Sequence, residues 1–185
     1  MVRNTTATWG WLSIALHWIG AIAIFVLLVH GWWMTHMVAR PERLANYAWH
    51  SALGYDLFVL VVLRLVWRWL NPVPGQPMDS KPWEKLAAHA GHVGLYVLIF
   101  AVTLTGWIVA TTARTPMTGD LLGLRFPALV TGIDRSTRNL VEETHLVLAY
   151  ILAAVVVVHI LGALRHHFIK HNDVLRRMIS PSQGT

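Results

Sequence analysis

The stretch THLVLAYILAAVVVVHI, residues 144–160, decides the fold because it is long and almost continuously apolar. It does not alternate apolar and polar residues, so it is typical of a helix and not of a strand in a membrane barrel. Two histidines, His145 and His159, stand near its two ends. Because an imidazole inside an apolar span is costly, the pair indicates a functional site.

Three further stretches have the same character, and together they give the fold class. A helix of about 20 residues crosses a hydrocarbon layer about 30 Å thick, and each stretch is at least that long. The chain is 55% hydrophobic and only 13% charged, which excludes an ordinary soluble domain. We therefore predict an all-α integral membrane protein, a four-helix antiparallel bundle that forms one domain over residues 1–185. The predicted spans are residues 11–33, 47–70, 86–110 and 142–166.

The lysines and arginines give the orientation of this bundle. Nine of the 15 lie on the side that holds both termini and the connection between spans two and three. The positive-inside rule therefore predicts that both termini are cytoplasmic. The longest connection, about residues 112–141, then lies outside; it contains Pro116 and Pro127 and has room for at most a short helix.

His145 and His159 lie on one face of their span but at different depths. Fourteen residues make close to four helical turns and about 21 Å along the axis. For the outer His145, the partner at matching depth is His50, near the start of span two. For the inner His159, both His17 in span one and His92 in span three lie at similar depth. Geometry alone leaves the choice between these two open.

Two pairs of facing imidazoles favour haem as the cofactor. Haem iron accepts an axial histidine on each face, and its apolar ring suits a membrane interior. Zinc needs three or four ligands, which neither level supplies. The chain has no cysteine, which excludes the covalent attachment of a c-type haem. A proton relay would need polar groups between the two levels, but the run between His145 and His159 is almost entirely aliphatic. A transporter without haem would leave the two histidine pairs unexplained.

Three glycines support this interpretation. Gly20, Gly54 and Gly162 follow His17, His50 and His159 by three or four residues, so each leaves space on the histidine's face for a flat ring. Close packing of membrane helices explains each glycine taken alone equally well.

The histidine pattern resembles that of the bacterial cytochrome b561 family, which also includes hydrogenase-type cytochrome b subunits. The matching motifs are LHW in span one, H-x-x-x-G in span two, AHAGH at the start of span three, and ETH followed fourteen residues later by histidine in span four. The resemblance implies two b-type haems in a multi-pass protein of the bacterial cytoplasmic (inner) membrane. It also implies that His17 and His159 ligate the inner haem, while His50 and His145 ligate the outer one.

Other side chains at the inner end are candidates for cofactor binding, each with an ordinary alternative. Arg64 and Arg68 can pair with haem propionates or act as positive-inside anchors. His89 and His92 can each form a wall of a haem or quinone pocket, or be an interfacial imidazole. His166 can hydrogen-bond a quinone carbonyl or a propionate, or belong to a basic flank. We expect the remaining histidines of the outer end and the C-terminus to lie at the surface: His30, His36 and His171.

The resemblance implies membrane electron transfer to or from the quinone pool, and two functions fit it. In the first, the chain is an oxidoreductase that passes electrons from superoxide to ubiquinone, helped by outer arginines that steer the anion: Arg114, Arg125, Arg135 and Arg138. In the second, it is a membrane anchor and electron conduit for a periplasmic dehydrogenase or hydrogenase. A short first outer loop and the lack of an appended domain favour the first. The expected partners are membrane lipid, quinone and superoxide or a periplasmic redox protein, and no nucleic acid.

Overall fold

The computed structural model describes residues 1–75 and 81–180, and helices make up most of this part of the chain. The four long helices are α1 (Trp11–His36), α2 (Arg43–Trp69), α3 (Pro82–Thr111) and α4 (Arg135–Phe168). A 3-10 turn, Arg40–Glu42, leads into α2, and a short helix α5, Val174–Arg177, follows α4. The described residues contain no strand, only one isolated β-bridge.

The predicted all-α membrane fold is confirmed. All four long helices are long and apolar enough to cross a bilayer, and their bounds agree with the predicted spans to within seven residues. The largest difference is the start of α4. There the side chain of Asp134 accepts a hydrogen bond from the backbone N–H of Thr137 at 2.7 Å and caps the helix. Hydrogen bonding from Thr137 also holds the pKa of the Asp134 carboxyl below its usual range.

Helices that are neighbours along the chain pack against one another: α1 on α2, α2 on α3 and α3 on α4. A buried apolar layer from all four helices fills the middle of the bundle: Leu27, Leu57, Val61, Ile99 and Leu152. Leu152 is seven residues from both His145 and His159, so this layer separates the two histidine levels. The prediction of one domain over residues 1–185 stays a prediction, since residues 76–80 and 181–185 lie outside the described residues.

Hydrogen bonds tie both ends of the chain to the inner end of the bundle. The buried side chain of Asn4 accepts from the backbone N–H of Gly10 at 2.9 Å and donates to the carbonyl of Pro72 at 3.0 Å. A Cβ on Gly10 would stand 2.3 Å from the carbonyl oxygen of Val2, so only glycine fits this turn. From α5, Arg177 donates to the carbonyl of Ala7 at 2.7 Å.

Glu84, in the first turn of α3, joins this helix to the inner end of α4. Its carboxylate oxygens lie 2.9 Å from Nη1 of Arg165 and 2.6 Å from Nζ of Lys170. One of them also accepts from the backbone N–H of Lys81 at 2.9 Å. Because the Glu84 side chain is only 4% exposed, these contacts fix how α3 and α4 meet at this end.

The long outer connection forms a hairpin and not the short helix for which the sequence left room. We call residues 117–127 the outer hairpin. Its two arms pair through Gly119 and Arg125, and the backbone N–H of Phe126 donates to the carbonyl of Thr118 at 2.7 Å. Gly123, at φ +87°, supplies the left-handed conformation that the turn needs.

Candidate functional site

His50 on α2 and His145 on α4 face one another in the outer half of the bundle. Their ring centroids are 6.4 Å apart, and the ring planes are perpendicular at 89°. Nδ1 of His145 lies 2.9 Å from the carbonyl oxygen of Val102 on α3. Because a carbonyl only accepts, Nδ1 carries the proton and Nε2 keeps its lone pair. This is how proteins commonly prepare a histidine to bind a metal ion.

Two glycines make room for these outer rings. A Cβ on Gly106 of α3 would stand 2.9 Å from Cε1 of His145, and a Cβ on Gly31 of α1 would stand 3.2 Å from Cε1 of His50. Both distances are shorter than an ordinary van der Waals contact, so a larger residue would displace the ring. Neither glycine was among the predicted ones, because each lies on a different helix from the histidine that it faces.

His30 belongs to the outer level, and the prediction that it lies at the surface is wrong. Its ring stacks on that of His50, with centroids 5.8 Å apart and planes at 19°. Its Nε2 lies 3.2 Å from Oδ1 of Asn46. Nδ1 of His30 and Nδ1 of His50 are both buried without a hydrogen-bond partner. The sequence signal for this position was the glycine that follows His30, Gly31, which also lies against the His50 ring. His36 and His171 are exposed as predicted.

The inner level brings three histidines together. His17 on α1 and His159 on α4 have ring centroids 6.4 Å apart at 61°. His92 on α3 is 5.5 Å from the same His159 ring at 63°. Both predicted candidates thus reach His159. Among residues 1–75 and 81–180, no three histidine, aspartate or glutamate side chains are arranged to hold a metal ion.

Arg64 occupies the inner level in a way that the sequence did not indicate. Its Nη2 donates to Nδ1 of His17 at 2.8 Å, and its guanidinium carbon lies 5.6 Å from the ring centroid of Tyr96. Because arginine only donates, His17 carries its proton on Nε2 in this arrangement. For His17 to bind a metal ion through Nε2, Arg64 must first release Nδ1.

Arg68 and His166, the other two predicted candidates, have different surroundings. Arg68 lines a cavity of about 660 Å³ between α2 and α3. The other walls of this cavity are apolar: Val62, Leu65, Val66, Trp69, Val73 and Phe100. Nδ1 of His166 accepts from the amide nitrogen of Asn172 at 2.8 Å, which ties it to the segment after α4. The roles of both residues in cofactor binding stay predictions.

The residues at both levels fit a flat cofactor held between two imidazoles. An imidazole nitrogen binds a metal ion at about 2 Å, so two rings on opposite sides of one ion have centres roughly 6 Å apart; both pairs measure 6.4 Å. A Cβ on Gly54 or Gly162 would meet nothing within 4 Å, so the space that these glycines face is open. Gly20 differs, because its Cβ would lie 3.7 Å from Leu60, and helix packing explains it better.

Comparison with known proteins places the chain in a family. Residues 8–181 match the family described as prokaryotic cytochrome b561. Cytochrome b561 homolog 2 of Escherichia coli (strain K12) is 32% identical, over 98% of this chain and 96% of the relative. Probable superoxide oxidase CybB of Yersinia pestis is 26% identical, over 94% and 96%. Cytochrome b561 homolog 1 of Escherichia coli (strain K12) is also 26% identical, over 90% and 94%. With its four membrane helices and paired histidines, the chain belongs to the prokaryotic cytochrome b561 family, multi-pass proteins of the bacterial inner membrane that use b-type haem for electron transfer.

Proposed function

We propose that this chain carries two b-type haems and passes electrons from superoxide at the outer haem to ubiquinone at the inner one. His50 and His145 hold the outer haem in this proposal, and His17 and His159 hold the inner one. The observation that carries it is the equal separation of the two pairs. They lie at different depths and share only α4, yet both have ring centroids 6.4 Å apart, which suits one metal ion between two imidazoles.

A haem held by these histidines would take up and release single electrons, and with two imidazoles bound it would have no open position for substrate. The chain's own residues keep the two levels separate and oriented. The carbonyl of Val102 holds the proton of His145 on Nδ1, which leaves the lone pair of Nε2 free to bind an ion. Between the levels, Leu57, Ile99 and Leu152 are buried and apolar. They exclude water and ions from the path, so that charge crosses the bundle as electrons.

The inner end has the groups that reduction of a quinone requires. Ubiquinone takes up two electrons and two protons, and two superoxide anions supply the electrons as they become dioxygen. The cavity beside Arg68 measures about 660 Å³, within the range of about 300–1,000 Å³ that is common for ligand sites. Its apolar walls suit the quinone ring and tail, and the guanidinium can donate to a quinone carbonyl. His92 and His166 are imidazoles, whose ring nitrogens can donate or accept hydrogen bonds.

At the outer end, positive charge favours an anionic donor. Three of the four predicted arginines are exposed: Arg114, Arg125 and Arg135. Arg138 is partly neutralised, because its Nη1 lies 3.5 Å from the carboxylate of Glu142. Exposed cations near a redox centre raise the encounter rate of a small anion, and salt weakens the effect. The name of the Yersinia pestis relative, probable superoxide oxidase, supports the same donor for this chain.

The haem assignment is tested by counting haem in the purified protein. We expect two b-type haems per chain in a pyridine haemochrome assay, and one after His145→Ala or His159→Ala. His36→Ala is the matched control, because His36 is exposed at the end of α1, and it keeps both haems. One haem in the unmodified chain, or two in both ligand variants, would contradict the assignment.

The donor and acceptor are tested by mixing the purified chain with a superoxide source and a soluble ubiquinone. We expect rapid ubiquinone reduction that disappears in His159→Ala. A chain that holds two haems but does not reduce ubiquinone would refute the superoxide reaction. That result would favour the second function, an electron conduit for a periplasmic dehydrogenase or hydrogenase.

A further inference from the structure

The outer hairpin lies at membrane depth and not in the water above the bundle. The backbone N–H of Leu121, at its tip, donates to Oδ2 of Asp56 at 3.3 Å. Asp56 stands at the midpoint of the 27-residue helix α2, six residues and about 9 Å further along the axis than His50. Because Asp56 lies this far along α2, its contact with Leu121 places the tip of the hairpin at least as deep in the membrane as His50 of the outer histidine pair.

Polar and aromatic contacts hold the hairpin in the crease between α2 and α3. Tyr55 donates from its hydroxyl to the carbonyl of Met117 at 2.8 Å, and Nε1 of Trp107 donates to the carbonyl of Pro127 at 2.8 Å. The rings of Tyr55 and Phe126 stack with centroids 4.4 Å apart and planes at 7°. Tyr55 is only 3% exposed and Phe126 9%, so this is a buried interface within the chain.

Hydrogen bonds satisfy part of the hairpin's backbone, which lowers the cost of placing non-helical backbone at membrane depth. Oδ1 of Asp120 accepts from the N–H of Leu124 at 2.6 Å, and the N–H of Asp120 donates to the carbonyl of Leu124 at 3.3 Å. Together with the bond from Leu121 to Asp56, these contacts give hydrogen-bond acceptors to three N–H groups of the turn. They also explain why an acidic residue stands in the middle of a membrane helix.

The tip of the hairpin presents an apolar surface to the outside of the bundle. Leu121, Leu122 and Leu124 are 53%, 75% and 51% exposed. This surface continues the lipid-facing sides of α2 and α3 at the same depth, so acyl chains are the neighbours available to it. Arg125 follows the tip and is exposed, with a stem long enough to bring its guanidinium to the headgroups.

We propose that the outer hairpin is a re-entrant element whose three leucines are immersed in the acyl chains of the outer leaflet. It covers the outer half of the crease between α2 and α3. The inner half of the same crease holds the cavity of Arg68 and Phe100. The Phe58 and Phe100 rings meet between the two halves, with centroids 5.7 Å apart. A lipid-soluble molecule can therefore enter the crease between α2 and α3 from the bilayer only through the inner leaflet.

The absence of cysteine from the chain makes single-cysteine labelling a direct test. The full-length protein carrying Leu122→Cys is labelled with an environment-sensitive fluorophore and reconstituted into phosphatidylethanolamine and phosphatidylglycerol vesicles. Two matched positions calibrate the signal. Val147→Cys lies on the apolar face of α4, where Val147 is 56% exposed, and His36→Cys lies at the exposed end of α1.

We expect the Leu122→Cys label to behave like Val147→Cys, with strong quenching by doxyl-labelled acyl chains and iodide quenching several-fold weaker than at His36→Cys. Iodide quenching as strong as at His36→Cys would overturn the proposal, because the hairpin would then be in water. Protection from both quenchers would also overturn it, because a second copy or another protein would then cover the leucines. The measurement does not depend on haem, so it stands apart from the proposed electron transfer.

A second pair of variants tests the anchor. In the Leu122→Cys background, Asp56→Leu removes the acceptor for the Leu121 N–H, and we expect iodide quenching to rise several-fold. Asp56→Asn keeps an acceptor oxygen and is expected to leave the label protected. Equal protection in both variants would refute the anchoring role of Asp56.

Discussion

The outer and inner histidine pairs have the same separation but different surroundings. At the outer level, neutral groups hold the rings: the carbonyl of Val102 accepts from His145, and Gly31 and Gly106 lie close against the two rings. At the inner level, a cation, Arg64, donates to His17. Each level also has a third imidazole: the His30 ring stacks 5.8 Å from that of His50, and His92 stands 5.5 Å from the ring of His159.

This difference teaches that the two ends of the proposed electron path are built for different tasks. At the outer level the carbonyl of Val102 fixes the His145 ring, and two glycines pack against the two rings, which favours electron transfer with little rearrangement. The inner rings lie beside the Arg64 guanidinium, which carries a positive charge and donates to His17. Such a group suits the end at which a quinone is reduced, and it makes the inner level more sensitive to charge than the outer.

The largest expected effect is the loss of the outer haem in Gly106→Leu. A side chain at this position would push His145 from its place, because even a Cβ would stand 2.9 Å from Cε1. We expect the haem content to fall from two per chain to one, with the inner haem unchanged in a redox titration.

Gly94→Leu is the matched control for this prediction. It also adds a leucine to a glycine of α3, but a Cβ there meets nothing within 4 Å, so both haems should stay. If Gly106→Leu keeps two haems with unchanged spectra, the rings of the outer level are not fixed as tightly as their contacts imply.

The next effect is a lower midpoint potential of the inner haem in Arg64→Met. Loss of a nearby cation favours the oxidised, more positive state. One charge within about 10 Å contributes roughly 1–2 kcal/mol at an effective dielectric constant of about 20, which is roughly 40–90 mV for a one-electron couple. The measurement is a spectroscopic redox titration that resolves both haems.

Arg64→Lys keeps the charge and should keep most of the inner potential, although lysine cannot reproduce the planar guanidinium. The outer potential should be the same in both variants. A fall of the outer potential as large as that of the inner one would show that Arg64 does not act locally, and the contrast between the two levels would fail.

Sequence periodicity predicted the four spans well, because each is an apolar run that only a helix can satisfy in a bilayer. It also found the outer pair, His50 and His145, and the three inner histidines, since depth along a helix follows from residue number. Sequence periodicity could not predict the contacts between helices. The stacking of His30 on His50, the Gly106 contact and the Arg64 bond to His17 depend on how helices rotate against one another. The outer hairpin escaped prediction because its anchor Asp56 and its leucines are far apart in sequence.

The smallest expected effect contrasts the ion pairs at the two ends of the bundle. Glu84 at the inner end is 4% exposed and contacts both Arg165 and Lys170, so Glu84→Gln replaces two charge-assisted hydrogen bonds with weaker ones. We expect the free energy of unfolding to fall by about 1–3 kcal/mol, seen as a lower melting temperature by circular dichroism in detergent. At the outer end, Glu142 is 56% exposed and 3.5 Å from Arg138. Glu142→Gln should therefore change stability by less than about 0.5 kcal/mol, and equal losses in the two variants would mean that Glu84 does not join α3 to α4.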